Sequence, residues 1–401
     1  MADPGRSLVS GPLRGFAEGF LAELAGLGYA SRSSEAQLRL LGHLSGWLAA
    51  EGLTAGDLST EVVDRFVAAR RRATTKFRSP RALVPLLAYL RRCGVAPAAA
   101  VVPPVEPADV LLERFAEYLS IERGLAVATV RSYVSQVRPF VAAHGGAGWG
   151  ALSGRQVAVF VTERAVVMRP RSVAVGASAL SCLLRWMWRE GMVSSPSLAD
   201  AVGKFAAATG SVPRRALSAS EIVDLVAGLP GGSARLRNEA MLALMWRLGL
   251  RAGEVGALQL GDINWRVGVL LVRGKRCRLD HVPLPVDVGG LLAGYLSRGR
   301  PRAPAHREVF LALDAPHGPL SSSAISSVAA RALAGAGIAG RGAAHRLRHT
   351  AACGVLSAGG GLVEVGQLLR HASPATSAIY ARSDLAALAV LARPWPTGVT
   401  R

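Results

Sequence analysis

The sequence contains no run of eighteen or more apolar residues, although half of it is hydrophobic and its mean hydropathy is +0.30. A helix crossing a bilayer needs about twenty such residues, so no membrane span is expected. The opening MADPGRSLVSGPLRGF is broken by Pro and Gly and lacks the basic-then-apolar order of a secretory signal. Cysteine is scarce: Cys93, Cys182, Cys277 and Cys353 lie far apart with no CxxC pair. They read as reduced, mostly buried thiols of a cytoplasmic protein. Neither a GxxxxGK[ST] loop nor an acidic cluster suited to magnesium is found. Acid itself is in short supply, with 27 Asp plus Glu against 47 Lys plus Arg, a net charge of +20 and a pI near 11.2. The hydrophobic content argues against disorder. The excess of arginine favours a polyanionic partner, because guanidinium forks match phosphate oxygens two at a time.

At 401 residues the chain has room for two or three domains. APAAAVVPPVEPA at 96–108 reads as a linker, and a second break, TGSVPRRALSAS at 209–220, ends in a Ser218-to-Glu221 capping box that starts a helix. The breaks predict domains at 1–97, 108–208 and 217–401. The first two share a weak repeat. LSTEVVDRF at 58–66 is echoed by LSGRQVAVF at 152–160, and Leu83, Leu86, Leu87 and Leu90 by Leu180, Leu183, Leu184 and Met187. The three- and four-residue spacing predicts helices with one buried face. Between these signals VAARRRATTKFR at 67–78 carries Arg70, Arg71, Arg72, Lys76 and Arg78 with no acid. Such a run suits backbone phosphates, supplying affinity with little sequence reading.

The C-terminal third carries the chemistry. In RLRNEAMLALMWRLGLRAGEVGAL at 235–258, an apolar helix and a Gly-Leu turn precede Arg251, which opens a second helix beside free backbone N–H groups. DINWRVGVLLVRGKRCRLDHVPLP at 262–285 reads as strand, turn and strand, with a β-rich run at Val267 and Val269–Val272 and Gly274-Lys275 at the tip. AAHRLRHT at 343–350 crowds His345, Arg346, Arg348 and His349 onto one helix, and no acid occurs between Asp314 and Glu364. The segment therefore either holds a metal or grips something strongly negative. His345 and His349 have zinc-helix spacing, but Arg346 stands where a metalloprotease needs its Glu, and a cation there opposes a divalent ion. In LLRHASPATSAIYAR at 368–382, Ser373-Pro374 is a good N-cap and first-turn pair for a short helix ending at Tyr380.

These pieces, in this order, resemble the tyrosine recombinase (phage integrase) family, nearest in pattern to its Xer-like members, over roughly residues 108–392. GLRAGEVGALQLGDI resembles the first arginine box, which implies a catalytic Arg251 supported by Glu254. VRGKRCRLDHVPLP resembles the hairpin bearing the catalytic lysine, here Lys275. HRLRHT matches the His-x-x-Arg-His box at His345 and Arg348, and LLRHASPATSAIY the last box, giving His371 and the nucleophile Tyr380. Arg370 departs from the pattern, which has Gly before that histidine. The implied fold is mainly α: two SAM-like helical DNA-clamping domains and a mostly helical catalytic domain with a small antiparallel sheet.

The resemblance implies that Tyr380 attacks a phosphodiester, leaving a 3′-phosphotyrosyl link and a free 5′-hydroxyl. A phenol of pKa ~10 is a weak nucleophile at neutral pH, so the surrounding cations must favour its ionised form. Arg251 and Arg348 would clamp the non-bridging oxygens, His345 would assist proton transfer, Lys275 would protonate the departing 5′-oxygen and His371 would hydrogen-bond the phosphate. The link stores the bond energy, so no cofactor is needed. Rejoining to a new strand makes a site-specific recombinase or integrase, of a kind that would suit a mobile element and transposition. Rejoining the same strand makes a topoisomerase of the IB kind, and loss of cleavage would leave a silent DNA-binding protein. The expected partners are double-stranded DNA, further copies of the chain as a tetramer on it, and sister recombinases or accessory proteins.

Overall fold

The apolar spacing of the first two hundred residues folds into helices that each bury one face, in a computed structural model that describes residues 9–73, 80–98, 107–203, 205, 215–274, 278–303, 305–340 and 342–371. The repeat proves wider than two short motifs. Helices α1 (Ala17–Gly26), α2 (Ser31–Ala50), α3 (Thr60–Ala73) and α4 (Val84–Arg92) are followed by α5 (Pro107–Ile121), α6 (Val127–His144), α7 (Gly154–Val167) and α8 (Pro170–Arg189). Ala17, Phe20 and Leu24 in α1 occupy the same spacing as Leu112, Phe115 and Leu119 in α5, and all six are buried. Leu41 and Leu44 in α2 correspond in this way to Val137 and Phe140 in α6, and Leu58, Val63 and Val67 to Leu152, Val157 and Val161. The predicted quartets, Leu83 with Leu86, Leu87 and Leu90 of α4 and the four on α8, close both cores. Each such Val, Leu, Phe or Met side chain contributes about 1.5–3 kcal/mol on burial. The LS motif is a helix start: Ser153 Oγ accepts the Gln156 N–H at 3.4 Å while the Gln156 side-chain Oε1 accepts the Ser153 N–H at 2.9 Å.

Residues 100–212 form one compact unit, and residues 1–99 with 213–401 the other. Separate hydrophobic cores span residues 9–96, 111–202 and 217–347, with a small satellite of Ala352, Val365 and Leu369.

The third core starts at the anticipated cap. Ser218 Oγ accepts the Glu221 N–H at 3.2 Å, Glu221 accepts the Ser218 N–H at 2.8 Å, and α9 (Ala219–Ala227) follows. Helix α10 (Gly232–Trp246) is apolar all round through Ala240–Met245, and is buried all round for that reason. After it come α11 (Ala252–Ala257) and an antiparallel sheet in the order β1 (Ile263–Asn264), β2 (Val269–Arg273), β3 (Leu279–Pro283). Leu270 pairs with Ile263 on one side and Val282 on the other, and all three are buried. The two-residue β1 was not anticipated, and Val267, expected in the strand, lies exposed in the turn that Gly268 closes at φ +63°. The remaining helices are α12 (Val286–Arg298), α13 (Ser322–Gly335), α14 (Ala343–Ser357) and α15 (Leu362–Leu369). Among the described residues no helix is long and apolar enough to cross a membrane.

Candidate active site

Arg251 owes its place to the turn between α10 and α11. Gly249 there adopts φ +61°, a left-handed backbone that favours glycine, and a Cβ on it would press the Leu369 side chain of α15 at 2.6 Å. Arg251 is the N-cap of α11, as its sequence setting suggested. Its own N–H, however, is occupied: Glu254, one turn on, accepts it at 2.8 Å and takes the Arg251 guanidinium at 2.5 Å. Glu254 is only 6 % exposed and Arg251 33 %, so the carboxylate sits beneath and the guanidinium reaches upward.

Helix α14 separates the cationic cluster of residues 343–350 into distinct tasks. His345 and Arg348, three apart on one face, line a cavity of about 470 Å³ together with Arg251 and Glu254. Arg348 is buried and donates to the carbonyls of Gly249 and, at 2.5 Å, Leu369, which ties α14 to both neighbouring turns. Arg346 serves the fold instead, holding the carbonyls of Arg215 and Ala339, each at 3.1 Å. His349 is buried, with Nε2 3.5 Å from Cys353 Sγ. The two histidines thus face different surroundings, and among the described residues no group of three or more His, Cys, Asp or Glu is arranged to hold a metal.

His371 follows α15 and lines a second cleft, of about 780 Å³, with Asp280, His281 and Glu364. Burial, then Arg348, Arg251 and Arg370 in turn, lowers its pKa from 6.5 to about 4, so its imidazole is neutral at physiological pH. Burial alone would raise Glu254, but Arg370 and then the Arg251 N–H and side chain outweigh it and hold the carboxyl below its ordinary value. Arg370 itself keeps the left-handed backbone of a helix-ending glycine, at φ 53° and ψ 50°, so the sequence departure leaves the turn intact.

Arg251, Glu254, His345, Arg348 and His371 are therefore gathered in one region, whereas Lys275 and Tyr380 lie outside the described residues, as does the Ser373-Pro374 cap. Of the basic run on α3, Arg71 and Arg72 are exposed. Arg70 is half-buried, and its buried Nε has no hydrogen-bond partner. Burial and Arg70's charge lower the nearby His43. Lys76 and Arg78 lie outside the described residues.

Some functional candidates escaped the sequence reading. Arg273, Ser322 and Ser326 line the same 470 Å³ cavity, and Arg273 is paired with the buried Asp262. Arg273 ends β2 two positions before Lys275 in the sequence, which was an available signal; the serines come from a distant helix start with none. In the second helical copy Arg123, Arg185 and Arg189 surround a polar cavity of about 380 Å³ with Tyr118, Tyr133 and Cys182. Burial raises the Cys182 thiol against the pull of the three arginines. At matching spacing the first copy has Gly28, Ala88 and Arg92, and Arg92 is spent on an ion pair with Glu23.

Residues 215–386 match the phage integrase family, and residues 112–191 match the phage integrase N-terminal SAM-like domain. A protein of Sinorhizobium fredii named as integrase/recombinase y4rA is 33 % identical over 393 residues, covering 96 % of this chain and 95 % of its own. Tyrosine recombinase XerD of Xanthomonas axonopodis is 32 % identical over 300 residues, or 69 % of this chain and 94 % of its own. Among solved structures, XerH recombinase bound to its difH substrate in a post-cleavage complex superposes with a TM-score of 0.56 at 18 % identity, covering 82 % of this chain and 93 % of XerH. A lambda integrase dimer on a core site gives 0.52 at 21 %, covering 73 % and 99 %.

Proposed function

From the premise that this chain belongs to the phage integrase family of tyrosine recombinases, enzymes that cut and rejoin DNA strands, we propose that it recombines double-stranded DNA at a specific site through a tyrosine-linked intermediate formed at the 470 Å³ cavity. The observation that carries this reading is the convergence of Arg251, His345 and Arg348 on that cavity from α11 and α14, with neutral His371 beside them.

A scissile phosphate enters between Arg251 and Arg348, whose guanidiniums bind its non-bridging oxygens and stabilise the charge that grows in the transition state. The carbonyls of Gly249 and Leu369 hold Arg348 before substrate arrives, so little ordering is left for the reaction itself. The Tyr380 hydroxyl attacks phosphorus, the 5′-oxygen departs with a proton from Lys275, and His345 receives the phenol proton. His371, uncharged, donates a hydrogen bond to the phosphate without drawing the arginines away from it. Attack by a 5′-hydroxyl of another strand reverses these steps and completes the exchange.

Both helical copies contact the duplex. In the second, Arg123, Arg185 and Arg189 meet backbone phosphates; in the first, Arg71 and Arg72 do so. The working state is a tetramer on DNA in the cytoplasm, of a kind suited to a mobile element. The test is covalent capture: the chain is incubated with a library of random duplexes, denatured, and the DNA that stays attached is sequenced. Wild type should retain a defined sequence, and Tyr380→Phe should retain none while still shifting the recovered duplex in a gel. Adduct formed equally by Tyr380→Phe would remove the tyrosine from its role.

A further inference from the structure

Arg370 stands immediately before His371 at the left-handed end of α15, and its guanidinium turns back into the protein rather than into the 470 Å³ cavity. It is 5 % exposed, and it meets Glu254 Oε2 at 2.8 Å, the carbonyl of Leu368 at 2.9 Å and that of Gly249 at 3.4 Å. Glu254 thus carries two guanidiniums at once, Arg251 on the cavity side and Arg370 from behind.

The consequence is one of charge. A carboxylate paired with Arg251 alone would cancel most of that arginine's field at the cavity, since two opposite charges in contact present only a dipole to a third. With a second, buried cation behind the carboxylate, the triad Arg251–Glu254–Arg370 has a net charge of +1. Its exposed member is Arg251, 33 % accessible against 6 % and 5 % for the other two. The same pairing removes rotational freedom from Glu254, and through it from Arg251.

We propose that Arg370 is a positioning residue of the strand-cleavage site: it neutralises and fixes Glu254 from the buried side, and so leaves the charge of Arg251 for the scissile phosphate. The inference rests on the strand-cleavage reading above. It also accounts for an arginine in a left-handed position, where a side chain is tolerated only at some cost.

The test uses the full chain and two nicked duplexes of the captured sequence, one with an ordinary scissile phosphodiester and one with an uncharged methylphosphonate there. Single-turnover cleavage is measured at saturating protein, so that only folded, bound chain is counted. Arg370→Gly suits the φ 53° backbone and should cleave the phosphodiester about tenfold more slowly, as expected for loss of one unit of nearby positive charge. On the methylphosphonate, which presents no anion to be stabilised, that deficit should vanish. Arg370→Gly combined with Glu254→Gln restores the net charge of +1 and should recover most of the phosphodiester rate. A wild-type rate for Arg370→Gly on the phosphodiester, or an equal deficit on both duplexes, would overturn the inference and leave Arg370 a packing residue. If the wild-type chain itself formed no adduct on either duplex, the strand-cleavage reading would fall and this inference with it.

Discussion

Replacing Glu254 by alanine probes the centre of the site, and its cost can be worked from the geometry. Glu254 and Arg370 are both nearly inaccessible, so removing the carboxylate leaves a buried guanidinium without its counter-charge. Breaking a buried pair from one side costs about 3–5 kcal/mol. Loss of the bond that caps the Arg251 N–H at the start of α11 adds about 1 kcal/mol. The Arg251 ion pair adds little, because that guanidinium is one-third exposed and water replaces the partner. The sum, roughly 4–6 kcal/mol, is a large part of the ~5–15 kcal/mol that holds an ordinary domain together. Urea unfolding followed by tryptophan fluorescence would show it, with Trp246, packed against the third core, reporting on that core. Glu254→Gln keeps an oxygen for the Arg251 N–H and should cost about half as much, so it remains measurable if the alanine variant does not fold. A Glu254→Ala chain within ~1 kcal/mol of wild type would refute the buried triad.

Two other outcomes test neighbouring parts. His371 is lowered from 6.5 to about 4, so between those values the unfolded chain takes up a proton that the folded chain refuses, and stability must fall as pH drops from 6.5 toward 4. His371→Gln should flatten that part of the stability–pH curve in a urea titration series; a curve unchanged in shape would place the imidazole in a wetter setting. For the basic run, replacing Arg71 and Arg72 by alanine should weaken binding alike on all duplexes and flatten the log–log salt slope by roughly 0.9 for each phosphate no longer neutralised. Adding Arg70→Ala should change the slope less than either, since its side chain is half-buried. Equal slopes for all these proteins would make the run a solvated face.

Much of the molecule was legible because its signals are local. The capping box at Ser218 and Glu221 lies within one turn, and so does the spacing that puts His345 and Arg348 on one face of α14. The helical repeat was legible from the apolar periodicity of α3, α4, α7 and α8, and burial extended it to α1, α2, α5 and α6. Charge was harder to read, because a formal charge in a sequence carries no record of its accessibility. Four cationic or titratable side chains between 345 and 349 look alike in sequence, yet packing sends His345 and Arg348 to the cavity and Arg346 and His349 to structural tasks. Arg370 read as a departure from a glycine, and its partner Glu254 stands 116 positions earlier. No periodicity links residues so far apart; their meeting depends on how α15 packs against the turn at Gly249. Local sequence thus determined which helices form and which faces they bury, while the packing of those helices decided which arginines meet solvent and which meet Glu254.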